Sequence, residues 1–81
     1  MKVMPAQIRA ARALLDISQQ ELADLSKVGL RTIVQFERGS TSISASIIQA
    51  LVLSLEATGI EFIPENGGGA GLRFRKPAAS E

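Results

Sequence analysis

Residues 18–39 read SQQELADLSKVGLRTIVQFERG, and this stretch decides the fold. Ser18 and Glu21 stand at capping-box spacing: the hydroxyl accepts the N–H three residues on, and the carboxylate returns to the N–H of Ser18. A helix therefore opens at Ser18, turns Leu22, Ala23 and Leu25 inward, and ends near Lys27. Val28-Gly29 interrupts the pattern. Gly29 is an acceptable N-cap, and Ile33 and Phe36 continue an inward face begun by Val28. Gly39 suits the left-handed conformation that closes a helix. The stretch is two short helices separated by a tight break.

Upstream, Pro5 can occupy a first helical turn, where its missing N–H costs nothing. Ile8, Ala11, Leu14 and Leu15 follow at helical spacing, so a helix runs from about Pro5 to Leu15. Downstream, Gly39 to Ser42 is loop, and Ser44 caps a fourth helix that Gly59 stops near Thr58. This helix carries Ile47, Ile48, Leu51, Val52, Leu53 and Leu55 with Glu56 as its only charge. It is apolar on more than one side, so something beyond the chain's own core is expected to cover it.

After Gly59 the period changes from helical to alternating. Ile60 and Phe62 alternate with Glu61, and Leu72 and Phe74 alternate with Arg73 and Arg75. The intervening Pro64-Glu65-Asn66-Gly67-Gly68-Gly69-Ala70-Gly71 is turn chemistry. Pairing Phe62 with Leu72 sets Ile60 opposite Phe74 and Glu61 opposite Arg73, so both faces agree. A lone hairpin is marginal in water, so it needs the fourth helix or a second chain. The organisation expected is residues 1–58 as a helical domain, 59–75 as a strand pair and 76–81 as a disordered tail.

The chain has 81 residues, no cysteine and no histidine. One small domain fits, and disulfides, thiolate metal sites and histidine-based catalysis are excluded. Aromatics are 4%, with no Trp or Tyr, which disfavours base-stacking binders of single strands. There is no membrane-length apolar run and no cleavable signal pattern, so a cytoplasmic location is expected. Residues 1–40 hold six basic and four acidic side chains, and residues 41–72 hold three acidic and no basic ones. Polyanion binding belongs mainly to the first half.

Catalysis has little to stand on. Glu21, Asp24 and Glu37 lie on helix faces among basic neighbours, and no histidine is available to activate the serines. The run Gly67-Gly68-Gly69 lacks the Lys-Ser/Thr ending of a phosphate-binding loop and precedes a strand. The chain is read as a non-enzyme without metal or cofactor.

The pair of short helices has the layout of a helix-turn-helix, whose second helix enters the major groove of DNA. Ile8-Arg9 and Arg12, Ser18-Gln19-Gln20-Glu21-Leu22-Ala23, Leu30-Arg31-Thr32-Ile33 and Phe36-Glu37-Arg38-Gly39 follow in order. This order resembles the lambda-repressor-like (Cro/C1, xenobiotic-response-element type) DNA-binding family over roughly residues 6–58. The resemblance implies a mainly α fold, a small four-helix domain here followed by a C-terminal β hairpin. It also implies duplex DNA as partner, with Gln19 on phosphate and bracing the second helix. Leu30, Arg31, Thr32, Val34 and Gln35 are expected at the DNA. Arg31 and Gln35 are one turn apart, so Arg31 could read guanine and Gln35 adenine. Leu30 could touch a thymine methyl. Arg38, Ser40 and Thr41 would hold phosphates, which positions without specifying. Arg12 and Glu37 match a family pair that forms a structural ion pair between the first and third helices, in preference to DNA contact. Arg9 divides evenly between DNA contact and solvated surface.

Two positions depart from the family pattern. Lys27 stands where the turn usually has glycine, and a non-glycine residue held left-handed costs about 1–2 kcal/mol. Gly29 replaces the usual Ser or Thr cap. Family members bind two half-sites as dimers, so a homodimer is expected, with Leu53, Ile60, Phe62, Leu72 and Phe74 at its interface. The function that follows is a dimeric repressor reading an inverted-repeat operator. Antitoxins resemble the same layout of helix-turn-helix plus strand, so a toxin-binding protein that autoregulates its operon is the alternative. A dimerisation adaptor that no longer binds DNA is the third.

Overall fold

The computed structural model describes residues 2–75, so the tail expected at 76–81 lies outside the described residues. Four helices, α1 (Pro5–Leu15), α2 (Gln19–Ser26), α3 (Leu30–Glu37) and α4 (Ala45–Ala57), precede strands β1 (Ile60–Ile63) and β2 (Gly71–Phe74). The chain is mainly helical, with one two-stranded antiparallel sheet at its C-terminal end.

The helix ends obey local chemistry. At α2 the box closes in both directions: Glu21 N–H donates to Ser18 Oγ at 3.0 Å and Ser18 N–H donates to Glu21 Oε1 at 2.8 Å. Ser44 Oγ caps α4 by accepting from Ile47 N–H at 3.3 Å. After α3, Gly39 takes φ +98, its N–H donates to Phe36 O, and Ser40 N–H donates to Gln35 O. That pair of hydrogen bonds is a Schellman closure, and it requires the left-handed residue that glycine supplies without strain. Lys27 ends α2 at φ 64 without that advantage. Ser26 supports the turn beside it: its buried hydroxyl donates to Leu22 O and accepts from Val28 N–H.

One core joins all the elements. Ile8, Leu22, Ile33, Leu51, Leu55 and Ile60, from α1, α2, α3, α4 and β1, are each under 2% exposed. Burying a side chain of this size contributes about 1.5–3 kcal/mol. The strand pairing is Ile60–Phe74, Glu61–Arg73, Phe62–Leu72 and Ile63–Gly71, in agreement with the alternation of the sequence. Buried Gln7 bolts the hairpin to the helices. Its amide oxygen accepts from Met4 N–H at 2.9 Å and its Nε2 donates to Gly71 O at 3.0 Å.

Some sequence expectations need correcting. Leu25 is 47% exposed, because the buried side of α2 is centred on Leu22, Ala23 and Ser26, and Leu25 falls on the edge away from Ala23. Leu14 is 42% exposed for the same kind of reason: α1 packs through Ile8 and Ala11, with half-buried Leu15 one turn beyond Ala11. Ile60 and Phe62, expected at a dimer interface, lie in the chain's own core. The sequence places the cover for α4 beyond the chain's own core, but part of it is internal: β1 packs on α4 and leaves Leu53 exposed at 55%.

Candidate nucleic-acid interface

Helix α3 has two unlike sides. Ile33, Phe36 and Glu37 are buried. Leu30, Arg31, Gln35 and Arg38 are exposed, and with half-buried Val34 they line one shallow depression. Thr32 is half-buried and lies outside that depression. Arg31 and Arg38 are in no salt bridge among the described residues, so both cations are available to an anion.

The buried side of α3 fixes the direction of the exposed side, and Glu37 is the hub. Arg12 on α1 donates to it from Nε at 2.8 Å and from Nη2 at 2.7 Å, a two-pronged pair with high directional specificity. Gln19 on α2 adds a third bond, Nε2 to Glu37 Oε1, at 3.1 Å. Arg9 donates to the Glu37 backbone oxygen. One carboxylate thus ties α1 and α2 to the end of α3. The hydrogen bonds to Glu37 hold the Arg12 guanidinium above its ordinary value, against the opposing effect of burial.

Gln19 therefore spends one of its two amide N–H bonds on Glu37, and the other remains to donate. It shares a shallow recess with Ser18, Arg9 and Arg38, at the N-terminus of α2, where fixed partial charge is positive. In the loop after α3, Ser40 N–H donates to Gln35 O, and Ser40 Oγ accepts from Ser42 N–H and shares a hydrogen bond with Ser42 Oγ. Thr41, Ile43 and Ser44 are thus the loop residues whose N–H groups have no protein acceptor among the described residues, and Thr41 is the one nearest α3. Of the residues placed at an interface by the sequence, Leu53 and Phe74 are more than half exposed and Leu72 is half-buried.

Sequence reasoning missed Gln7 and Ser26. A polar residue on an apolar helix face gives no sign of which distant carbonyl it will meet. The sequence does not decide Arg9, and its bond to the α3 terminus gives it a structural role. Among the described residues no cluster of Asp and Glu could hold a metal ion, and no helix is long and apolar enough to cross a membrane.

A family model described as helix-turn-helix matches residues 8–62, from α1 into the first strand. No curated protein matches the chain at a significant level.

Proposed function

The chain belongs to the helix-turn-helix family of Cro/C1-type DNA-binding transcription regulators, and from that premise we propose that it acts as a dimeric repressor of an inverted-repeat operator. The observation that carries the reading is the division of α3. Its inward side is locked by Ile33, Phe36 and the Glu37 hub, and its outward side presents Arg31, Gln35 and Leu30 to solvent. A rigid helix with unpaired polar groups on its free side is suited to the major groove.

In this reading Arg31 and Gln35 read base edges, Leu30 and Val34 touch thymine methyls, and Thr32 contributes at the margin. Arg38, Gln19 and the N–H of Thr41, with Ser40 beside it, hold the backbone and set the angle of entry. The strand pair, residues 59–75, is assigned to dimerisation. With Ile60 and Phe62 committed to the core, the interface falls to Leu53 and Phe74 with Leu72 at its edge.

The test is selection of bound duplexes from a random pool, at low and at near-physiological salt. Enrichment of two inverted half-sites about 10 base pairs apart, or at a compatible spacing, is the expected result. Unselective retention that vanishes with salt would reduce the interaction to backbone electrostatics. The reading would then pass to a protein partner such as a toxin, sought by pull-down.

A further inference from the structure

A cavity of about 470 Å³ opens between the segment preceding α1, the end of α3 and the first half of α4. Pockets for small ligands span about 300–1,000 Å³, so this one has room for a guest. Its wall is apolar, built from Val3, Met4, Phe36, Ile43, Ile48 and Val52. Among the described residues, Lys2 is the only charged side chain that lines it. Lys2 and Thr41 are exposed, which puts them at the rim, with half-buried Ser40 beside them.

The lining determines the chemistry of the occupant. An apolar wall takes a hydrocarbon body, because polar groups buried there would find no partners. A single lysine at the rim, with no carboxylate among the described lining residues, takes one negative charge and leaves it partly hydrated. The cavity also shares Gly39, Ser40 and Thr41 with the loop assigned above to the DNA backbone. An anion bound at this rim raises the negative potential where a phosphate would sit.

We propose that this cavity binds a medium-chain carboxylate, with its chain against Phe36, Ile48 and Val52 and its head group at Lys2 and Thr41, and that occupancy weakens DNA binding. The coupling rests on the DNA-binding reading above; the binding itself does not. Linkage requires that DNA weaken carboxylate binding by the same factor.

The test uses the full chain, decanoate below its micellar concentration, and decanol as a neutral probe of equal chain length. Calorimetry without DNA should show saturable binding of one decanoate per chain. Ala45→Trp, at an exposed lining position on the first turn of α4, should weaken it at least tenfold, with an unchanged far-UV spectrum. Gln49→Trp, exposed and lining the same cavity, replaces it if that variant does not fold. Lys2→Met should weaken decanoate severalfold and leave decanol unchanged. On a selected duplex, decanoate should raise the Kd at least fivefold for the natural chain and not for the tryptophan variant. Absence of saturable decanoate binding, or binding indifferent to the tryptophan, overturns the proposal. Decanol acting on DNA as strongly as decanoate overturns its electrostatic part. A chain that binds decanoate but no duplex keeps the cavity assignment and loses the DNA reading with its coupling.

Discussion

Removal of either partner of the Arg12–Glu37 pair should cost much of the stability of this domain, and removal of both should cost far less. The Glu37 side chain is 3% exposed and that of Arg12 is 19% exposed. Breaking a buried pair from one side costs about 3–5 kcal/mol, because a charge is left without a partner. Glu37→Ala strands Arg12, which is partly wet and keeps its 3.2 Å bond to Ile17 O, so its cost falls near about 3 kcal/mol. Arg12→Met strands the drier carboxylate with Gln19 as its remaining side-chain donor, so it costs about 4 kcal/mol. Arg12→Met with Glu37→Leu leaves no charge behind and should recover most of the loss. At about 0.05–0.15 kcal/mol per residue a chain of this length holds only about 4–12 kcal/mol, so each single variant should lower Tm by more than about 10 °C. With no Trp or Tyr to report, urea unfolding is followed by far-UV circular dichroism. Arg12 carries its charge more firmly in the folded state, chiefly through its hydrogen bonds to Glu37. Its contribution is therefore complete below the ordinary arginine value and declines only as pH rises above it, so the Arg12→Met difference should stay flat from neutral into mildly alkaline solution. Single variants that each cost less than about 1 kcal/mol, with no coupling in the double-mutant cycle, would refute the reasoning.

Arg31→Ala should lose about 1–3 kcal/mol of operator discrimination per half-site with no change in Tm; unchanged specificity in a competition assay would remove Arg31 from the groove. Lys27→Gly should raise stability by up to about 1 kcal/mol in urea, since the strain of a left-handed lysine exceeds the entropy that glycine adds to the unfolded chain. A loss of stability there would mean that the lysine side chain does something the backbone angle does not disclose. Ile60→Ala should cost about 2–5 kcal/mol, because that side chain is fully buried. Leu53→Ser should change stability by less than about 0.5 kcal/mol and shift sedimentation toward monomer; a dimer that survives both Leu53→Ser and Phe74→Ser would place the interface elsewhere.

Local chemistry is the part of this molecule that a linear sequence carries. The capping box at Ser18, the glycine closures at Gly39 and Gly59, and the change of period after Gly59 each depend on residues a few positions apart. The helix limits and even the strand register could therefore be read before any contact was known. Alternation within four residues leaves only one pairing in which Phe62 meets Leu72 and Glu61 meets Arg73. The outward side of α3 was legible for the same reason: positions one turn apart share a side whatever else the chain does.

Tertiary structure decided what depends on distant neighbours. The sequence could show that α4 and the strands were too apolar to stand alone, and left the identity of their cover open. The fold gives Ile60 and Phe62 to the chain's own core. It turns Leu25 to solvent and Ser26 inward, and it joins Gln7 to a carbonyl 64 residues away. The cavity under Lys2 has no sequence signature, because its walls come from three separated segments. Periodicity tells which side of an element is apolar. Only packing tells what that side meets, because burial is shared among segments whose separation along the chain carries no information about their contact.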